Sequence, residues 1–160
     1  MDTLRRRPRL IASVLAAAAV VAGLSGCTNA VRMQPAPSAN AAACASAQVR
    51  LPATLGGTLA LRNTSAQSTA AWGSPSAVVY HCGVAVPTVS DLPCFSKGSV
   101  DWLRDDRGKQ VVYTTFGRAP AVQVVIDTSR ATSDALQTLD AAVSTLPEDG
   151  HRCLDPQDVS

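Results

Sequence analysis

The chain has 160 residues and a mass of 16.5 kDa, which leaves room for at most one ordinary domain and excludes a multidomain enzyme. Its formal charge of +2 comes from arginines in the first 26 residues, because the remainder carries 10 basic against 11 acidic residues. A basic surface of the kind that binds nucleic acid is therefore not expected.

The amino-terminal stretch has the layout of a secretory signal. Four arginines, the last of them Arg9, precede a largely apolar run from Leu10 to Leu24 that ends in small residues. Cations hold such a leader on the cytoplasmic side while the apolar run enters the bilayer as a helix. A spanning helix needs about 20 residues, so this run of 15 favours a cleaved signal peptide, residues 1–26, over a permanent transmembrane anchor.

The signal ends in Leu24-Ser25-Gly26-Cys27, which resembles the lipobox of bacterial lipoproteins. In that motif a branched apolar residue and two small residues precede a cysteine whose thiol takes a diacylglyceryl group. The resemblance implies that Cys27 begins the mature chain and anchors it, through acyl chains such as palmitate, to the extracytoplasmic face of the cell membrane. Two acyl chains suffice for stable anchoring. The alternative is a chance cysteine after a leader that the ordinary signal peptidase cleaves.

Residues 27–42 are predicted to form a flexible tether. From Thr28 to Ala42 the chain consists mainly of Ala, Pro, Ser, Asn and Gln, with almost no large apolar residue. Such a composition buries too little surface to offset the entropy of ordering. We therefore expect this segment to lift a single domain, residues 43–160, off the bilayer.

Beyond Cys27 the chain has four cysteines: Cys44, Cys82, Cys94 and Cys153. An even number of cysteines in an exported chain predicts two disulfides, and the residues alone leave all three connectivities open. A metal site built from these thiols with His81 or His151 is the alternative. No pair has the C-x-x-C spacing of structural zinc sites, and an exported chain meets an oxidising compartment, so we predict neither a metal nor another cofactor.

The domain is predicted to mix helices and short strands. One helix is expected over Ala41–Leu51, before Pro52, and another over Thr132–Leu146, where apolar residues recur at helical spacing before Pro147. Between them, Gly, Pro and Asp turns separate five predicted strands: Thr58–Arg62, Ala77–Cys82 with its β-branched and aromatic residues, Ser99–Leu103 with its alternation, Gln110–Phe116 and Ala121–Asp127.

Consecutive short strands joined by turns imply antiparallel pairing, and the apolar stripe of a helix must pack against the sheet. The predicted fold class is therefore α+β: an antiparallel sheet of about four or five strands, with two helices packed on one face and disulfides as staples. The polar tail from Glu148 to Ser160 is expected to be loose except where Cys153 holds it.

Four stretches of the domain carry a recognisable pattern: Ala71-Trp72-Gly73-Ser74-Pro75, then Val78-Val79 with Cys82-Gly83-Val84 and Pro87, then Val100-Asp101-Trp102-Leu103, then Thr114-Thr115 with Gly117-Arg118. The pattern resembles a family of small actinobacterial lipoproteins classed as a domain of unknown function, over Cys44 to Leu146. That family has no activity to transfer. The resemblance implies an envelope location and a disulfide between Cys44 and Cys82, which leaves Cys94 with Cys153.

Three residues are candidates for ligand binding: Trp72, Trp102 and Arg118. Two exposed indole rings would form a stacking platform for a sugar, and Arg118 would pair with an acidic ligand. The alternatives are that both tryptophans anchor the core of a domain with few aromatic residues, and that Arg118 pairs with Asp101 or Asp127. We predict no catalytic residue, because no G-x-S-x-G elbow or comparable arrangement is present.

Two functions of different class remain. We favour a non-catalytic, membrane-anchored lipoprotein that binds or supports an envelope protein or a cell-wall component. The reason is that the sequence predicts a lipid anchor, a tether and a small disulfide-bonded domain, but no catalytic arrangement of residues. The alternative is a small extracytoplasmic hydrolase or thiol/redox protein, in which Cys94 supplies the thiol if it is unpaired. The membrane is a partner in the favoured case, through the lipid on Cys27.

Overall fold

The computed structural model describes residues 30–154, which contain two short helices, α1 (Ala42–Gln48) and α2 (Asp134–Val143), and eight strands. The strands are β1 Thr54–Leu55, β2 Leu59–Arg62, β3 Thr69–Trp72, β4 Val78–Val84, β5 Cys94–Lys97, β6 Val100–Asp106, β7 Gln110–Phe116 and β8 Ala121–Asp127. No helix in residues 30–154 is long and apolar enough to cross a membrane. The predicted signal peptide, Cys27 and residues 155–160 lie outside the described residues.

All eight strands form one antiparallel sheet in the order β1-β2-β3-β4-β8-β7-β6-β5. Strands β1 to β4 follow one another as an N-terminal meander, and β5 to β8 as a C-terminal meander. The two meanders meet along β4 and β8, where Tyr80 pairs with Val124. Residues 85–93 carry the chain from the centre of the sheet to its far edge at β5, so a single long-range strand pair joins the two halves of the sheet.

The fold is mostly β, and the predicted α+β arrangement of four or five strands covered by two helices is wrong. The sequence pattern locates β2, β4, β6, β7 and β8 but misses β1, β3 and β5. Strand β3 reads Thr-Ala-Ala-Trp, in which the two alanines have little β propensity, and it pairs with β2 and β4 with all four of its residues buried. The two helices have only 7 and 10 residues, so they are a smaller part of the domain than expected.

One face of the sheet carries the hydrophobic core. Alternate residues of the strands point toward this face, and the largest of them, Trp72, Tyr80 and Trp102, are fully buried. Helix α2 and the turn after it add the apolar stripe that helical spacing predicts, with Leu136, Leu139, Val143 and Leu146 in the core cluster. Helix α1 contributes Cys44 and Ala47 and contacts α2.

Two disulfides are present, as predicted. Cys44 in α1 bonds Cys82 in β4, and Cys94 in β5 bonds Cys153 near the end of the described chain. This is the pairing that the family resemblance implies. Cys44 and Cys82 are fully buried, whereas Cys94 is exposed on the edge strand. Each bond stays within one half of the sheet and the segments attached to it.

The described part of the predicted tether lies against the N-terminal meander. Val31 forms a parallel bridge with Thr64: its N–H donates to the Asn63 carbonyl (2.8 Å), and its carbonyl accepts from Ser65 N–H (3.0 Å). Farther along, Ser38 N–H donates to the Gly83 carbonyl (2.9 Å). The chain is therefore in contact with the sheet from residue 31 onward.

Candidate binding cleft at the C-terminal segment

Residues 147–154, here called the C-terminal segment, cross the end of the sheet beside the turn between β7 and β8. Ala119 N–H donates to the Pro147 carbonyl (3.0 Å), and Asp149 N–H donates to the Gly117 carbonyl (3.1 Å). Gly117 has a φ of 84°, and a Cβ added there would clash with the His151 carbonyl. Glycine is required at this point because the segment lies directly on its Cα.

Arg118 holds the start of the C-terminal segment in place. Its guanidinium is buried and donates to the carbonyls of Ser144 (3.3 Å), Leu146 (2.9 Å) and Ser99 (3.0 Å). It also forms an ion pair with Glu148 at 3.2 Å. Carbonyls at a helix end carry partial negative charge, so a cation there satisfies groups that the helix leaves without donors. The side chain that the sequence marks as a ligand candidate is directed at the protein's own backbone.

Asp101 and the second disulfide hold the other end of the segment. Asp101 Oδ2 accepts from Cys153 N–H at 2.7 Å, and its Oδ1 accepts from the Ser96 hydroxyl at 2.6 Å. Because Cys94 neighbours Leu103 across the β5–β6 ladder, the bond from Cys94 to Cys153 draws the segment over this part of the sheet. Cys94 is thus bonded and does not present the free thiol that a thiol enzyme would need.

A cleft of about 680 Å³ lies between the C-terminal segment and the connection that precedes β5. Its floor is apolar, with buried Leu103 and half-buried Phe116, and the Cys94–Cys153 bond forms part of its wall. Val89 and Leu154 line it with 87% and 64% of their surfaces exposed. Such a cleft has apolar surface left for a partner to cover.

His151 and Asp149 form a polar pair at the rim of this cleft. His151 Nδ1 lies 2.9 Å from Asp149 Oδ1, which also accepts the His151 backbone N–H at 2.9 Å. The bond from that N–H lowers the pKa of Asp149 below its ordinary value, so the carboxylate stays ionised. The imidazole tilts against the Phe116 ring, with 5.5 Å between ring centres. Asp149 therefore engages Nδ1 of a His151 ring that lines the cleft, and Nε2 is the ring nitrogen that this contact does not use.

The structure separates the residues that the sequence singles out. Trp72 and Trp102 are fully buried in the core, where Trp72 Nε1 donates to the Pro52 carbonyl (3.0 Å), so neither ring is open to a sugar. Arg118 and the Cys94–Cys153 bond both hold the C-terminal segment, Arg118 at its start through Glu148 and the disulfide at its other end. Cys27 lies outside the described residues. Between residues 30 and 154 no group of three His, Cys, Asp or Glu side chains is placed to hold a metal ion.

Asp149 and His151 are the site residues that sequence reasoning misses. The tail reads as loose because it is polar, and its two anchors, Asp101 and Gly117, lie more than thirty positions earlier in the chain. A local signal does exist. Asp149-Gly150-His151 has the sequence of a turn in which an aspartate carboxylate accepts a hydrogen bond from the backbone N–H two residues later.

Comparison with known proteins gives a family but no described activity. A family model for a protein of unknown function, DUF3515, matches residues 9–150. The match includes Asp101, Gly117, Arg118 and Asp149, and it ends at Gly150, inside the C-terminal segment. No curated protein and no solved structure matches the chain.

Proposed function

Because the chain belongs to the DUF3515 family of proteins of unknown function, we propose its role from its leader and its cleft. It is a lipoprotein of the small actinobacterial kind, anchored on the extracytoplasmic face of the cell membrane. There it acts as a non-catalytic module that binds a segment of an envelope protein in the cleft beside the C-terminal segment.

The proposal of a membrane anchor is supported by the sequence that precedes the described domain. A cationic start, a 15-residue largely apolar run and Leu24-Ser25-Gly26-Cys27 follow one another in the order that lipoprotein export and lipidation require. A diacylglyceryl group with two acyl chains would keep Cys27 on the membrane, since one chain alone binds only marginally.

The exposed apolar side chains around the cleft are the observation that carries the binding role. In the described part of the chain, five large hydrophobic residues are exposed, and three of them belong to the cleft or to the connection beside it: Val89, Leu92 and Leu154. A sugar would need an exposed aromatic platform, and both tryptophans are buried. An apolar floor with polar groups at its rim instead suits a protein segment that inserts apolar side chains.

The anchor is tested by the intact mass of the protein extracted from membranes. We expect a chain that begins at Cys27 and carries a diacylglyceryl group, whose remaining four cysteines react with an alkylating agent only after reduction. The Cys27→Ser variant should be recovered without the diacylglyceryl group, because serine supplies no thiol. An unlipidated wild-type chain would contradict the anchored role.

The cleft is tested by crosslinking in living cells with p-benzoylphenylalanine in place of Val89. Val49 is the matched control, because it is also a valine, is 81% exposed and lies just after α1. We expect a reproducible protein adduct from position 89 and none from position 49. Adducts to wall polymer would contradict a protein partner and show that the cleft binds a cell-wall component. Equal yields at the two positions would show that the cleft has no specific partner.

A further inference from the structure

Residues 31–34 are attached to one corner of the sheet. We call this the anchor corner, and it comprises residues 31–34, the β2–β3 turn (residues 63–68) and Arg50 beyond α1. Met33 N–H donates to the Ser65 hydroxyl at 3.0 Å, beside the Val31–Thr64 bridge. Gln48 and Thr64 side chains both donate to the Thr69 carbonyl, at 3.0 and 3.1 Å, so the end of α1 adjoins the turn.

Covalent geometry keeps Cys27 near this corner. Four residue steps separate Cys27 from Val31, and a fully extended chain spans about 3.5 Å per residue, so the two Cα atoms are at most about 14 Å apart. A lipid on Cys27 would therefore bring the anchor corner to the depth of the headgroups, in place of holding the domain at a distance.

Charge favours the same orientation. Neither aspartate nor glutamate occurs between Asp2 and Asp91, so residues 30–90, which include α1 and the N-terminal meander, carry three arginines, Arg32, Arg50 and Arg62, and no acidic residue. Residues 91–154 contain nine acidic and seven basic residues. An anionic membrane surface attracts the first half and repels excess negative charge in the second.

The shape of the corner suits lipid headgroups. A cavity of about 370 Å³ is lined by Ala30, Arg32, Met33, Gln34 and Ser65. Arg32 and Gln34 are exposed, and Met33 is half-buried between them. A guanidinium beside a thioether and a hydroxyl can bind a phosphate while the apolar stem lies along the lipid glycerol region.

From these observations we propose that the anchor corner is a membrane-docking surface that binds the phosphate headgroups of anionic lipids. The proposal rests on the proposed lipidation of Cys27. It deepens that role, because the lipid then fixes the orientation of the domain as well as its location. The β6–β7 turn faces away from the bilayer. Thr69 pairs with His81 at the corner end of the sheet, whereas Gln110 pairs with Asp127 at the opposite end.

The test uses photocrosslinking of the full lipidated chain in vesicles of phosphatidylcholine with or without phosphatidylglycerol. Gln34→p-benzoylphenylalanine places the probe in the anchor corner, and Lys109→p-benzoylphenylalanine places it in the β6–β7 turn, where the side chain is also exposed. We expect lipid adducts from position 34 and few from position 109, with the yield at position 34 increased by phosphatidylglycerol and decreased by salt.

Charge variants test the headgroup assignment. Arg32→Gln with Arg50→Gln should lower the ratio of docked to undocked protein about fivefold per arginine in anionic vesicles and leave neutral vesicles unaffected. Equal lipid yields at positions 34 and 109, in protein whose mass shows the diacylglyceryl group, would overturn the docking surface but not the anchor. A lipid adduct yield at position 34 that does not change with phosphatidylglycerol would overturn the assignment of anionic headgroups. A chain without the lipid would overturn the anchor and the docking surface together.

Discussion

At two glycines, a stretch of backbone that is distant in sequence lies in close contact with the domain. Gly83 has a φ of 95° and lies against Ser38, and Gly117 has a φ of 84° and lies against His151. Both belong to stretches that carry the family resemblance. A side chain at either position meets backbone, which cannot move aside as a flexible side chain can.

Gly117→Ala is therefore expected to destabilise the domain by about 3 kcal/mol, because it adds a backbone clash to an unfavourable positive φ. Gly108→Ala is the matched control, with a φ of 77° and no atom within 4 Å of the added Cβ. That change should cost only about 1 kcal/mol. Urea unfolding of both variants measures the difference, and equal losses would show that the C-terminal segment does not lie on Gly117.

His81 links stability to pH. Its side chain is half-buried, its strand partners Thr69 and Gln123 are uncharged, and within the described chain its Nδ1 has no hydrogen-bond partner. Burial lowers the pKa of His81 below its ordinary value of 6.5. The unfolded chain then binds a proton that the folded chain does not, so stability falls as the pH drops from 6.5 toward the folded pKa.

We expect His81→Gln to flatten the stability profile in that pH range, as measured by urea unfolding at a series of pH values. The contribution of Asp149 can be told apart from that of His81. Because the pKa of Asp149 is lowered on folding, its contribution to stability is lost only as the pH falls below 3.8. If wild type and His81→Gln lose stability in parallel from pH 6.5 downward, His81 does not carry the effect.

At the scale of elements, the two strands that the sequence predicts with their observed bounds are dense in β-branched residues. Gln110–Phe116 and Ala121–Asp127 are found with the predicted bounds. Strand β3 is missed because its two alanines have little preference for a strand, and only burial between two neighbours decides its conformation. Strand β1 has two residues, too few for any periodic pattern.

The candidate site is less predictable than the strands. Asp101, Gly117 and Arg118 are present in the stretches that carry the resemblance, but their shared role depends on where residues 147–154 pass. That path is fixed by contacts between positions as far apart as Asp101 and Cys153. Sequence spacing gives no information on such long-range contacts, so the tail is predicted to be loose except at Cys153, and Arg118 is predicted to pair either with a ligand or with Asp101 or Asp127.

The two disulfides differ in accessibility, and this predicts an order of reduction. Cys94 lies exposed on an edge strand, whereas Cys44 and Cys82 are fully buried between α1 and β4. Thiolate attack requires access to a sulfur atom. Limited dithiothreitol should therefore open Cys94–Cys153 first and remove the covalent link between the C-terminal segment and β5, while Cys44–Cys82 persists.

Differential alkylation and mass mapping check that order. Opening the bond between Cys94 and Cys153, which are 59 residues apart, should cost about 4 kcal/mol in the chain-entropy model. The variant with Cys94→Ser and Cys153→Ser should unfold at the same urea concentration as the partly reduced protein. Alkylation of Cys44 or Cys82 before Cys94 would contradict the prediction.

At the scale of the whole molecule, the sheet is two meanders held side by side. The first is free of acidic residues, and the second has the excess of them, so the halves differ in charge as well as in their position in the chain. The half that contacts the segment after Cys27 is the cationic one, and the cleft belongs to the other. Anchoring and binding are therefore assigned to separate parts of one sheet.

This division makes the protein separable into two complementary chains. The connection from β4 to β5 contains Val89, 87% exposed, and neither disulfide crosses it. One proteolytic cut there would yield a non-covalent heterodimer of fragments with opposite net charge, joined by the β4–β8 ladder and a shared core. Such a nicked protein would migrate as one species under native conditions and as two in denaturant, even with both disulfides intact.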